Sequence, residues 1–292
     1  MSRVAYVNGR YVPQRHASVN VEDRGYQFAD GVYEVVLVNG GRFIDEDRHL
    51  ARLERSIREI RLAAPMGEAP LRRVLREVVA RNRVRDGLVY IQVTRGVARR
   101  DHPFPARPVP PAVVVTTRRL APFPADVATW ATAAITQPDQ RWGRCDIKSV
   151  GLLPNVLARQ AARERGASEA ILVDADGMVT EGAATTAWMV GRDGVLRTRH
   201  LDQIILPGCT RGALMALMEA AGIGFEERAF SADELRQARE AFVTSATSYV
   251  RPVVKLDGAP VGDGTVGPAT RDLFALFARH VRGDGRNAAN AA

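Results

Sequence analysis

The chain has 292 residues, 46% of them hydrophobic and 25% charged, enough to bury a sizeable core in two modest domains or one large α/β unit. No apolar run approaches a bilayer span, and Cys145 and Cys209 have neither metal-ligand spacing nor the number for a disulfide framework, so a reducing cytoplasm and no metal are expected. The net charge of +8 would suit nucleic acid, but the arginines interleave with acids, as in "ARLERSIREIRL", which reads as a solvated basic surface with no nucleic-acid or membrane partner.

The opening "MSRVAYVNGRYVP" has no signal-peptide core and reads as the start of a mature first strand. Asn8-Gly9 predicts a hairpin, because both residues tolerate the positive φ of a tight turn. The strand "GVYEVVLVNG" runs into Asn39-Gly40-Gly41 and returns as "RFI". Helical spacing of Leu50, Leu53, Ile57 and Ile60 predicts a helix over 46–62, and Leu71, Val74, Leu75 and Val78 a second over 70–84. Strands "LVYIQVTRG" and "PAVVVTTRRL" complete a small α+β domain over 1–121. Proline clusters make 101–125 loop apart from that last strand, with an interdomain linker at 122–125.

The second domain, 126–282, carries predicted strands at 128–136, 169–174, 178–181, 185–190, 195–198, 225–229, 240–244 and 249–256. Hairpin signals stand at Asp176-Gly177, Asp193-Gly194 and Asp257-Gly258. Helices are expected at 154–165, 210–221, 231–238 and 267–280, and a disordered tail over 283–292.

Of the chain's 41 lysines and arginines, 39 are arginines; the two lysines are Lys148 and Lys255. Arginine replaces lysine as a cation but not as a nucleophile, since only the amine loses its proton readily and condenses with an aldehyde. Lys255, in "VVKLDGAPV", sits where a strand entering a turn needs an outward polar residue. Lys148, in "RCDIKSVGLLPN", follows Arg141 and Arg144 at a strand-to-loop junction and is the candidate for Schiff-base chemistry with pyridoxal phosphate (PLP). A phosphate cradle is available in "ILPGCTRGALMALMEAAG", where Thr210 opens a helix, and in the polar turn "TSATS"; taken alone, Thr210 reads as a helix cap. "MVTEGAATTAW" offers Glu181 as the acid for a pyridine nitrogen, though a Glu-Gly pair alone is a turn more often than a site.

The segments "VEDRGYQFADGVYEVV", "HLARL", "IQVTRGVARRDHPF", "RWGRCDIKS", "EAIL", "VTEG", "LPGCTR" and "FVTSATS", in this order and over nearly all of residues 3–280, resemble the fold-type IV PLP enzymes, and within them the D-amino acid transaminases. The resemblance implies an α+β fold with a small N-terminal α/β sandwich-like domain and a larger C-terminal pseudo-barrel of strands with flanking helices. It implies that Lys148 forms the Schiff base and shuttles the α-proton, and that Glu181 holds the pyridinium nitrogen with support from Arg141. Arg52, Thr210, the Cys209 backbone and the turn of Ser245, Ala246 and Thr247 would bind the phosphate, with Leu206 against the ring and Tyr33 beside lysine and substrate. Arg100 and His102 would bind the substrate α-carboxylate on a loop that reaches the neighbouring subunit of a homodimer. The implied reaction moves the amino group of D-amino acids such as D-alanine or D-glutamate to 2-oxoglutarate or pyruvate, with ping-pong kinetics. A branched-chain L-amino acid transaminase or an aminodeoxychorismate lyase of the same fold is the alternative, against which Arg100 and His102 argue. A basic nucleic-acid-binding module is the alternative of another class. Two departures stand out: Leu37 where the D-transaminase pattern has lysine, and Ala183-Ala184-Thr185-Thr186 where it has a serine-rich run ending in asparagine.

Overall fold

Asn8 and Gly9 take φ values of 46° and 90°, and this tight turn joins β1 (Val4–Val7) to β2 (Arg10–Pro13). The computed structural model describes residues 3–122 and 124–284. The chain divides into two units: one runs to Pro122 and also takes in Ile147–Gly151, and the other holds the remaining residues.

In the first unit the hairpin is followed by α1 (Arg24–Phe28), β3 (Gly31–Asn39), β4 (Arg42–Phe43), α2 (Glu46–Glu59), α3 (Glu68–Asn82), β5 (Gly87–Thr94) and β6 (Ala112–Arg119). The strands form one antiparallel sheet in the order β2-β1-β6-β5-β3-β4. Successive side chains of β3 point to opposite faces. Its fully buried Val32, Val36 and Val38 share a core with Leu50 and Leu53 of α2 and Leu75 of α3. Apolar spacing does not announce α1, which has barely more than one turn. Its start is set by Asp23, whose carboxylate accepts the Gly25 N–H at 2.8 Å.

The second unit contains β7 (Thr132–Pro138), α4 (Leu153–Glu164), β8 (Glu169–Val173), β9 (Val179–Gly182), β10 (Thr186–Val190), β11 (Leu196–Thr198), α5 (Cys209–Ala220), β12 (Glu226–Glu227), α6 (Ala232–Arg236), β13 (Glu240–Ser245), β14 (Tyr249–Leu256), β15 (Ala259–Pro260) and α7 (Pro268–Arg282). The strand expected from residue 128 starts at Thr132, because Asp126 caps a 3-10 turn over Val127–Trp130. β7 and β8 are parallel, so a crossover must join them, and α4 is that crossover, packed through Ala158 and Ala162. Gly283, at φ 84°, closes α7 through its N–H to Arg279 O; from residue 285 the expected disordered tail lies outside the described residues.

Strand order in this unit forces curvature. From β10 the neighbours are β13, β14, β7, β8 and β9, and five spacings of about 4.8 Å would separate β10 from β9 by about 24 Å in a flat sheet. Yet only residues 183–185 link β9 to β10, and four residues of extended chain span at most about 14 Å. The sheet therefore curls, as the pseudo-barrel implied by the family resemblance requires. Among the described residues, no helix is long and apolar enough to cross a membrane.

Candidate active site

Lys148 lies in the crossover between β7 and α4, yet its segment packs with the first unit. The reason is an open sheet edge. β5 pairs along all of β3, but on the other side β4 reaches only Val38 and Asn39. The start of β3 thus has backbone groups available to another strand. Tyr33 N donates to Lys148 O at 3.0 Å, Val150 N donates to Gly31 O at 3.1 Å, and Ser149 bridges Val32. Lys148 N donates to Ser56 Oγ of α2 at 3.3 Å, and Ile147 is buried in the core. Sheet, helix and core fix the backbone, while Nζ stands 4.3 Å from the centre of the Tyr33 ring. Behind Tyr33, burial pushes the Tyr90 hydroxyl up to about 12, so it stays a neutral donor, bonded to Gln92 Oε1 at 2.7 Å. Lys255 is exposed on β14 opposite Pro260, the outward position its alternation predicts.

Arg52 reaches from α2 to Glu34 on the core face of β3. Nε lies 2.7 Å from Oε1 and Nη2 2.9 Å from Oε2, while His49 Nδ1 is 2.7 Å from Oε2. Burial alone would raise the Glu34 carboxyl, but the Arg52 charge and the His49 and Arg52 hydrogen bonds outweigh it and bring it from 4.5 to about 2. Arg52 is thus a fixed cation one helical turn before Ser56, the residue that holds the lysine backbone. Arg100 and His102 stand elsewhere on the same unit, both exposed. They converge on one side chain: the Phe28 ring is 5.4 Å from the His102 ring and 5.1 Å from the Arg100 guanidinium carbon.

The second unit supplies the acid. Glu181 of β9 is 5% exposed, paired with Arg141 Nη1, and accepts the Leu206 N–H at 3.2 Å. Arg141 is itself gripped by Asp139, with Nε to Oδ1 at 2.9 Å and Nη2 to Oδ2 at 2.7 Å, and donates to Ile204 O at 3.1 Å. Burial pushes Asp139 upward, but the Arg141 contacts prevail and hold its carboxyl below the usual range. Thr180, next to Glu181, donates to Asp139 Oδ2 at 2.7 Å, which locks the network to the strand. The result is a buried carboxylate held against a fixed cation, suited to accept a hydrogen bond from a protonated ring nitrogen. Burial pushes the neighbouring Cys145 thiol up to about 11, with Sγ on Trp142 O at 3.1 Å, so it is no nucleophile.

The same unit builds an anion corner. The cap of α5 is Gly208, not Thr210, which is the second residue inside the helix; the expectation that Thr210 opens it is corrected by one position. Glycine has no side chain to cap the first-turn amides, so these and the helix dipole are free to face an anion. Its φ of −63° suits any residue; the need for glycine is spatial, since a Cβ would lie 2.7 Å from Thr186 Oγ1. Thr186 pairs with Thr244 across β10 and β13, and Ser245, Ala246 and Thr247 follow at once. There Ser245 Oγ accepts the Ser248 N–H at 3.0 Å and tightens the turn. The departures from the family pattern are absorbed locally. Leu37 is buried on β3, and Thr185 donates to Glu169 Oε2 at 3.0 Å.

Each unit therefore groups its own candidates: Lys148, Tyr33, Arg52, Arg100 and His102 in the first, and Glu181, Arg141, Leu206, Cys209, Thr210 and Ser245 to Thr247 in the second. Sequence reasoning missed Glu34, His49, Ser56, Asp139 and Phe28. Phe28, Glu34 and His49 lay inside segments quoted for the resemblance, but Glu34, like Ser56 and Asp139 outside them, gains meaning only from partners on other elements.

Comparison with known proteins identifies the class: an aminotransferase of fold type IV. The chain matches the amino-transferase class IV family model over residues 31–256 and belongs to that family, whose cofactor is PLP. It is 42% identical over 266 residues to the D-alanine aminotransferase of Bacillus licheniformis, covering 91% of this chain and 93% of that one. It is 41% identical over 276 residues to the D-alanine aminotransferase of Staphylococcus aureus (strain MSSA476), covering 94% and 97%. A branched-chain amino acid aminotransferase from T.th., solved with pyridoxamine 5'-phosphate, shares the fold at a TM-score of 0.89 and 25% identity over 98% of this chain and 96% of that one. That of Escherichia coli does so at 0.84 and 25% over 95% of each.

Proposed function

We propose that this enzyme transaminates D-amino acids, D-alanine and D-glutamate among them, with 2-oxoglutarate or pyruvate as amino acceptor. The observation that carries the substrate class is the Arg100 and His102 pair gathered on Phe28. A forked guanidinium beside an imidazole suits a carboxylate better than an aliphatic side chain. D-alanine aminotransferases at 40–42% identity over more than nine-tenths of the chain support this reading above a branched-chain one.

When bound, PLP supplies an aldehyde for the Lys148 amine and a ring that withdraws electrons from the substrate α-carbon. The donor set fits that group. Arg52, the Cys209 and Thr210 amides and the turn of Ser245, Ala246 and Thr247 would hold the phosphate, and Glu181, paired with Arg141, would accept the ring N–H. Leu206, its own N–H tied to Glu181, would flank the ring. Lys148 Nζ would take the proton from the α-carbon of the amino donor in one half-reaction and give one to the α-carbon of the new amino acid in the other; that amine stands 4.3 Å from the centre of the Tyr33 ring.

The proposal extends to a cytoplasmic homodimer. Leu153, Val156 and Leu157 leave one side of α4 exposed at 69%, 58% and 58%, an apolar stripe suited to a second copy. Arg100 and His102, exposed on their own unit, would serve the partner's site, and the unbridged Cys145 and Cys209 suit a reducing compartment.

The purified protein should be yellow, and borohydride should fix the cofactor to Lys148. A coupled assay should show turnover of D-alanine and none of L-leucine. A label on Lys255, or a preference for the L-amino acid, would overturn the corresponding part of the reading.

A further inference from the structure

We propose that Arg24 and Phe28 are positioning residues that set the carboxylate-binding pair; this rests on the reading of Arg100 and His102 given above. The loop between β5 and β6 is rich in proline and exposed around Asp101 and His102. Side chains on such a loop bind a small anion well only if its backbone is held, because otherwise binding must also order the chain.

The structure holds it from below. Arg24 is 3% exposed and each edge of its guanidinium has an assigned partner: Nε faces Asp30 Oδ2 at 2.8 Å, Nη1 donates to Asp101 O at 2.6 Å, and Nη2 donates to His102 O at 3.2 Å. One buried cation thus clamps the backbone of the two residues that follow Arg100. Asp30 also binds Arg95, with Nε to Oδ2 at 2.7 Å and Nη2 to Oδ1 at 2.9 Å. That second arginine lies 3.7 Å from the centre of the Phe104 ring, two residues further along the loop. The Phe28 ring then sets the side chains, with the Arg24 guanidinium carbon 4.8 Å from its centre and Arg100 and His102 also against it.

The clamp cannot wander, because α1 is pinned. Arg24 N donates to Gly96 O at 2.9 Å, and Asp23 accepts from both Gly25 N and Thr94 Oγ1. Gly25 has no room for a side chain: a Cβ would fall 2.2 Å from Thr94 Cγ2. Sheet end, helix, arginine and loop form one chain of contacts that ends on two anion-binding side chains.

A lysine at position 24 keeps the charge facing Asp30 but cannot span both carbonyls. Arg24→Lys should raise the KM for D-alanine about tenfold and leave kcat within about twofold, with the PLP absorbance band unchanged. Phe28→Leu, which keeps an apolar filler but removes the ring, should do the same. The effect should vanish when Arg24→Lys is added to Arg100→Ala, because both act on the same step. If Arg100→Ala raises KM while Arg24→Lys and Phe28→Leu leave it alone, the positioning role is wrong and the carboxylate reading stands. If Arg100→Ala itself leaves KM unchanged, the carboxylate reading is what fails. A loss of the PLP band and of kcat in step would make Arg24 a general structural residue and overturn the inference, as would failure of Arg24→Lys to fold with Phe28→Leu unaltered in KM.

Discussion

Glu34 is fully buried between a guanidinium and an imidazole, so its charge is worth keeping only in the folded state. Its carboxyl ionises at about 2 in the folded chain against 4.5 for the free group. The stabilisation is therefore complete above pH 4.5, erodes as pH falls toward 2, and is absent below; over that window it amounts to roughly 3 kcal/mol. Glu34→Gln should flatten this part of the acid profile and cost about 3–5 kcal/mol at neutral pH by removing the carboxylate that Arg52 and His49 bind. Urea midpoints of both proteins at several pH values decide it; parallel acid profiles would show that the pair contributes nothing. Nothing in "GVYEVVLV" announces this carboxylate, because a charged residue flanked by apolar ones on a strand reads as solvent-facing, and its partners are 15 and 18 residues away on a helix. Lys148 was legible for the opposite reason: in a chain of 39 arginines, the type of residue is itself the signal.

At the scale of elements, periodicity placed the long helices and most strands to within a few residues, because one face of each is buried. What it could not place was α1, whose start is set by the Asp23 cap; the start of α5, set by Gly208, it gave to within one residue. The α5 start makes a prediction. Gly208→Ala puts a methyl 2.7 Å from Thr186 Oγ1, so the Thr186 side chain or the first turn of α5 must give way, at a cost of about 1–3 kcal/mol. If that turn cradles the phosphate, PLP release measured by absorbance after gel filtration should quicken about tenfold along with the fall in melting temperature. A lower melting temperature with unaltered PLP retention would remove α5 from the cradle and leave the glycine a purely steric requirement.

For the whole molecule, strand order carries information that no local pattern holds. The curl of the larger sheet follows from β9 and β10 being close in sequence and far apart in pairing order. The capture of Lys148 by the first unit follows from β4 leaving the start of β3 uncovered. Neither relation exists until strands pair, so the sequence could indicate the lysine but not what seats it. The proposed homodimer is the last such relation, and it can be tested without a structure of the complex. Suppose the lysine of one subunit works with Arg100 of its partner. A dimer of one Lys148→Ala and one Arg100→Ala subunit then contains one site with both lesions and one site with none. Co-expressing the two impaired variants under different affinity tags and isolating the doubly tagged dimer should, at D-alanine near the wild-type KM, recover about half the wild-type activity, with wild-type KM in the surviving site. If Lys148 and Arg100 instead serve the same subunit, every site in the mixed dimer keeps one lesion. Activity then stays at the level of the two parents, and the exposed loop would have to act on its own chain.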